Sequence, residues 1–203
     1  MLSELPKTAK GHLFVLSGPA GSGKTTLVDR LTEEFSYIKK NVSFTTRKQR
    51  PGEVDGVDYH FIDEKKFEEM ELNGEFLECV HLFGNRYGTS IKAILKQLEL
   101  GFHLILVLDV EGALKVKEML DVPLLFVTTP NLEVLERRLI GRGSEKPHDL
   151  EKRLERARFE IAQGEQFYDY LFVNDNLDVA YKIIRSILVA ELHKRKIWTE
   201  KNL

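Results

Sequence analysis

Gly18-Pro-Ala-Gly-Ser-Gly-Lys-Thr25 fits the spacing glycine, any four residues, then Gly-Lys-Thr. It stands between the apolar run Leu13-Phe-Val-Leu16 and a helix-like segment. That context, strand before and helix after, makes the pattern a phosphate-binding loop rather than a Gly-rich turn. Glycines let consecutive N–H groups turn toward phosphate oxygens, and the following helix adds the positive end of its dipole. Lys24 is expected to reach the outer phosphates, and Thr25 to place its hydroxyl on a magnesium ion.

Outward from the loop, His12 to Ser17 reads as a fully buried strand, and Leu27, Val28, Leu31 and Phe35 give the next helix its apolar side. Buried runs recur at Leu104 to Leu108, ending in Asp109, and at Val122 to Val127, with a short one at Tyr170 to Val173. Helical patterns separate or follow them at Ser90 to Leu100, Ala113 to Leu120, Pro130 to Ile140, 149 to 163 and Val179 to His193. This alternation predicts an α/β fold, a parallel sheet core with helices on both faces.

Two stretches interrupt the alternation. From Asn41 to Phe61 the chain is polar and rich in Gly and Arg, too long for a simple connection. Asp63 is placed to cap a helix carrying Phe67, Met70 and Leu72 that ends near Gly74, and 75 to 83 alternate like a strand before a Gly84-Asn85 turn. Residues 41–90 therefore read as an α+β insertion over the sheet edge. The break Gly141-Arg142-Gly143, flanked by Arg137, Arg138, Arg153, Arg156 and Arg158, has the composition of a lid. The division expected is a core of 1–40, 91–138 and 164–203, the insertion, and a helical lid at 139–163.

The 203 residues carry a net charge of −2, which argues against a nucleic-acid or membrane-surface partner. One cysteine, Cys79, permits no internal disulfide and fits a reducing cytoplasm. Neither a signal peptide nor a membrane span is visible, so a cytoplasmic protein, monomeric or weakly homo-oligomeric, is expected.

A phosphate loop alone leaves GTPase, ATPase and small-molecule kinase open. Asp109-Val-Glu-Gly112 matches the Asp-x-x-Gly of GTPases, but no Asn-Lys-x-Asp accompanies it. A second anion site separates the classes: Arg47 and Arg50, with the phenols of Tyr59 and Tyr87, make a cradle for a monoester phosphate because each guanidinium binds oxygens bidentately.

Taken with Glu78, Tyr87-Gly-Thr89, Asp109, Arg138-x-x-x-Arg142-Gly and Val173-Asn174-Asp175, the segment Ser43-x-Thr-Thr-Arg47-x-x-Arg50-x-Gly-Glu53-x-x-Gly56-x-Asp-Tyr59-x-Phe61 resembles the bacterial guanylate kinases, within the P-loop nucleoside monophosphate kinase fold. The resemblance runs from about residue 12 to 192. It implies magnesium-dependent transfer of the γ-phosphate of ATP to GMP. It places Gly18, Pro19, Ala20, Gly21, Ser22, Gly23, Lys24, Thr25, Thr26 and Asn174 around ATP. Ser43, Glu78, Thr89 and Asp109 would surround guanine, and Arg47, Arg50, Tyr59 and Tyr87 the GMP phosphate, with Glu53 also counted in the GMP site. Lys24, Arg47, Arg138, Arg142 and Arg153 would serve the transfer itself, with Thr25 on the magnesium ion and Asp109 reaching it through water. Two positions depart from the family's usual pattern: Val107 stands where an aspartate is common, and Glu111 where glutamine is usual.

Overall fold

The computed structural model describes residues 11–141 and 147–194. The first half of the chain runs β1 (Leu13–Ser17), α1 (Lys24–Glu34), β2 (Ile38–Lys40), β3 (Phe44–Thr45), β4 (His60–Phe61), α2 (Glu64–Leu72), β5 (Phe76–Leu82) and β6 (Asn85–Ser90). It continues with α3 (Ile91–Glu99), β7 (His103–Val107), α4 (Val110–Met119), β8 (Leu124–Thr128), α5 (Leu132–Gly141), α6 (Pro147–Phe167), β9 (Tyr170–Val173) and α7 (Leu177–Leu192).

One sheet has the order β2-β7-β1-β8-β9 with every pairing parallel. Its strands show no polar alternation because both faces are covered. Phe14, Leu16, Ile105, Leu125 and Val127 pack toward α1 and α7, joining Leu27, Val28, Leu31 and Ile184. Leu13, Val15, Leu104, Leu106 and Leu124 pack on the other side with Ile94 and Leu98 of α3 and Ala113 and Val116 of α4. The expected parallel core with helices on both faces is what forms. β1 lies between β7 and β8, so the chain leaves β1 in one direction and later crosses to its other side. The carboxyl ends of these strands flank the crevice where ligands bind in such sheets.

The second sheet, β4-β3-β6-β5, lies wholly between residues 44 and 90 and mixes one parallel pair with two antiparallel ones. Strands β2, β3 and β4 were not legible: each spans two or three residues, and polar neighbours hide their period. Asp63 caps α2 as anticipated, its carboxylate accepting from the Lys66 N–H at 2.7 Å. Phe67 and Met70 are buried, but Leu72 is 82% exposed, a correction to the expected apolar side. At 100° per residue, Leu72 falls about 140° around the helix from Phe67. Ser90 caps α3 through the Ala93 N–H, and Gly101 follows the helix with φ of 87°.

Helix α6 starts before and ends after the expected helical stretch of 149–163. Its packing against the sheet depends on Gly164, where an added Cβ would lie 2.7 Å from the ring of Phe126. That ring is itself completely buried, so it has nowhere to retreat. Gly164→Ala should therefore destabilise the fold by about 1–3 kcal/mol through overpacking, less up to about 1 kcal/mol of regained helix propensity. A thermal unfolding midpoint equal to or above that of the parent would contradict this docking.

Candidate active site

The phosphate loop leaves β1 at the crevice and turns into α1 at Lys24. Glycine is required at both ends of the turn. A Cβ on Gly18 would lie 2.0 Å from the Val127 carbonyl oxygen, and one on Gly23, whose φ is +97°, would lie 2.3 Å from Asn174 Nδ2. Asn174 is buried beneath the loop and donates from Nδ2 to the Ser22 carbonyl at 2.8 Å. In this conformation its side chain braces the loop instead of facing outward. The Lys24 ammonium folds back, donating to the carbonyls of Gly18 at 2.6 Å and Pro19 at 3.0 Å. Thr25 and Thr26 occupy the exposed side of the first turn of α1.

Across the crevice the second sheet builds a buried polar chain. Glu78 and Thr89 are partners on β5 and β6, and the Thr89 hydroxyl donates to Glu78 Oε1 at 2.6 Å. Ser43 Oγ lies 3.3 Å from Thr89 Oγ1. Glu78 is 5% exposed, and its Oε2 is buried without a hydrogen-bond partner. Burial pushes its carboxyl up to about 7, the nearby Asp109 adds to this, and the Thr89 bond opposes it. Gly112 of α4 lets the carboxylate in: a Cβ there would stand 2.8 Å from Glu78 Oε2. Gly112 thus serves close approach between the insertion and α4, a use unrelated to the GTPase pattern it mimics.

The arginine cradle is organised by Glu53. Its carboxylate takes both ends of the Arg47 fork, at 2.8 and 3.0 Å, and also accepts from the Arg50 backbone N–H at 2.8 Å. Burial would lower the Arg47 pKa, but Glu53 more than offsets it. Tyr59 and Tyr87 meet edge to face with centroids 5.9 Å apart, and Arg47 lies 5.4 Å from the Tyr59 ring. Glu53, expected in the GMP site, accepts three bonds from the arginine segment and orients it.

Asp109 is the N-cap of α4, and its Oδ1 accepts from the Gly112 N–H at 3.0 Å. Its Oδ2 accepts from Arg156 Nη2 of α6 at 3.0 Å. The same guanidinium donates to Glu111 at 2.7 Å and to Glu160 at 3.3 Å. Glu111, unusual by resemblance, thus has an arginine partner across the α4–α6 junction. Burial raises the pKa of Asp109 and of Glu160; for Glu160 the charges of Lys24 and Arg156 oppose the rise.

Of the other arginines of α5 and α6, Arg138 donates to the Asn174 carbonyl at 2.9 Å, and Arg153 lies 5.1 Å from the centroid of the Phe83 ring at the β5–β6 turn. Arg142 lies outside the described residues. Sequence reasoning missed Glu160, a buried carboxylate facing the loop lysine, and the carboxylate partners of Arg156. The only local signal was the i,i+4 spacing of Arg156 and Glu160, which any solvated helix can carry.

The guanylate kinase family model matches residues 10–191. A guanylate kinase of Protochlamydia amoebophila is 45% identical over 188 residues, covering 93% of this chain and 95% of that protein. The Chlamydia muridarum guanylate kinase is 50% identical over 183 residues, or 90% of this chain and 89% of the other. The crystal structure of guanylate kinase from Anaplasma phagocytophilum superposes with a TM-score of 0.75 at 37% identity, covering 91% of this chain and 87% of that one. With a phosphate loop on one side of the crevice, a buried acceptor chain and an arginine cradle on the other, and these relatives along nearly its whole length, the chain belongs to the guanylate kinase family of ATP:GMP phosphotransferases.

Proposed function

We propose that GMP binds with its base on Ser43, Thr89, Glu78 and Asp109 and its phosphate on Arg47, Arg50, Tyr59 and Tyr87, while ATP lies on Gly18 to Thr26. The observation that carries this is Glu78 Oε2, a buried acceptor with no partner in the protein. Guanine supplies N1–H and N2–H2 donors that match such an acceptor, and its O6 can accept from a hydroxyl.

The domain reading that goes with this is a core of 1–40, 91–138 and 164–203, a GMP-binding insertion of 41–90, and a lid of 139–163. The enzyme is further read as cytoplasmic and as monomeric or weakly homo-oligomeric, acting on free nucleotides without nucleic acid or membrane. Among the described residues no helix is long and apolar enough to cross a membrane.

The Thr25 hydroxyl would hold the magnesium ion, with Asp109 reaching it through water. Among the described residues no three acidic, histidine or cysteine side chains cluster as a metal cage. That suits an ion that keeps several waters and takes its other oxygens from substrate phosphates. When bound it would supply positive charge to offset the negative charge of the phosphates.

The protein's own part is alignment and positive charge, because phosphoryl transfer passes through a loosely bonded transition state. Lys24 leaves the loop carbonyls for the phosphate oxygens, and Glu53 holds Arg47 ready so that little ordering is left to do on binding. Arg142 and Arg153 come from the lid, and Arg138 from the last residue of the core before it, to the transferring group. For Arg153 this means giving up Phe83, so closure and release of the β5–β6 turn go together.

An ADP-release assay across GMP, AMP, CMP and UMP tests the reading. GMP should exceed the others by orders of magnitude in kcat/KM, and comparable turnover of AMP would overturn the base assignment.

A further inference from the structure

We infer that Arg156 is a positioning residue for base recognition: from lid helix α6 it fixes the Asp109 carboxylate that receives guanine, so that the lid helix and the base site are set as one unit. This rests on the reading of Asp109 as a guanine contact.

Asp109 is anchored at both oxygens. The α4 cap holds Oδ1, which by itself leaves the carboxylate plane free to turn, and Arg156 Nη2 holds Oδ2. The two anchors come from different elements, so the plane is defined only while α6 is docked against α4. Arg156 is committed to carboxylates at every nitrogen in this arrangement. Each of its three donates to a carboxylate, Asp109, Glu111 or Glu160. The resemblance implied transfer roles for Arg138, Arg142 and Arg153 and none for Arg156, which the geometry directs to Asp109.

An exposed ion pair would contribute little. This one is enclosed: side-chain exposure is 22% for Arg156 and 9% for both Asp109 and Glu160. Without the guanidinium, two buried carboxylates that repel each other would lose the cation they share. Asp109 would then have every reason to rotate away from the position that meets guanine. Glu160, which also senses Lys24, extends the same network to the phosphate loop.

The test compares Arg156→Met, Arg156→Lys, Asp109→Asn and the double variant Asp109→Asn/Arg156→Met with the parent. Calorimetry reads GMP affinity without ATP or magnesium, and steady-state kinetics read kcat/KM for GMP and AMP and the KM for ATP. Losing a charge-assisted contact of this kind corresponds to about tenfold or more, so Arg156→Met should weaken GMP by at least that factor and lower the GMP/AMP ratio. Any change in the KM for ATP, through the water-mediated magnesium contact of Asp109 or through Glu160 and Lys24, should be smaller than the loss of GMP affinity read without ATP or magnesium. Arg156→Lys should recover part of the loss. The double variant should bind GMP no worse than Asp109→Asn alone, since the two residues act through one contact.

Should Arg156→Met fail to fold, Arg156→Gln carries the same expectation. Parent-like GMP binding in an Arg156 variant whose Asp109→Asn counterpart is impaired overturns the inference. So does an equal loss for GMP and AMP, the mark of a purely structural role. If Asp109→Asn itself binds GMP normally, the base-site reading falls first.

Discussion

Lys24→Ala should still fold cooperatively, bind GMP within about twofold of the parent, and lose on the order of 10³-fold in kcat. The side chain lies along the phosphate loop, not in the core; its ammonium donates to the Gly18 and Pro19 carbonyls and its charge opposes the rise in the Glu160 pKa. Removing it takes no apolar area from the interior. The loop itself is held by other means: the Asn174 amide under Ser22, the glycine conformations at 18 and 23, and the Ser22 N–H to Pro19 carbonyl turn at 3.1 Å. What is lost is a positive charge where negative charge redistributes during transfer, in a site shielded from water, and single donors in such positions are worth about 10²–10³ in rate. GMP affinity should hardly move, because the cradle of Arg47 and Glu53 belongs to another sheet. Stopped-flow or coupled kinetics with a parallel thermal melt decide the matter. A folded variant within tenfold of parental turnover would remove Lys24 from the transfer.

The phosphate loop was legible because its chemistry is local: the glycines, the lysine and the flanking strand and helix lie within about twenty consecutive residues. Asp63 and Ser90 were legible for the same reason, since a cap and its helix are neighbours in sequence. The arginine cradle was half legible. Arg47 and Arg50 stand out, but that Glu53 belongs to the GMP site by holding the Arg47 fork and the Arg50 N–H shows only in the structure. Gly112 was seen only as part of a misleading Asp-x-x-Gly, and its reason lies 34 residues away, in the Glu78 carboxylate that needs the space. The Arg156 network was invisible because it joins α6 to α4 across 47 residues, and charge pairing at that separation leaves no periodic trace. Short strands such as Phe44–Thr45 fail for a different reason: two residues cannot show an alternation.

Glu78→Gln should lower kcat/KM for GMP by about two orders of magnitude, leave the weak activity on AMP nearly unchanged, and stabilise the ligand-free protein above neutral pH. The parental carboxyl is buried with one oxygen unpartnered and titrates at about 7 in the fold against 4.5 ordinarily, burial being the main cause. An acid whose folded pKa is raised gives stability that is fully present below its unfolded pKa. That stability is lost as pH climbs from about 4.5 to about 7 and is flat thereafter. The loss is at most about 3 kcal/mol, and glutamine removes it, so the variant's melting temperature should exceed the parent's at pH 8 and approach it at pH 5. Binding runs the other way. To accept from guanine N1–H and N2–H2 the group must be ionised, so below about pH 7 the parent must release a proton when GMP enters, and its affinity should fall toward tenfold per pH unit. The GMP phosphate also titrates near pH 6, but that contribution is common to both proteins, and the difference between parent and Glu78→Gln isolates the carboxyl. Parallel pH curves of GMP affinity for the two proteins, or an unchanged GMP/AMP ratio, would place Glu78 outside base recognition.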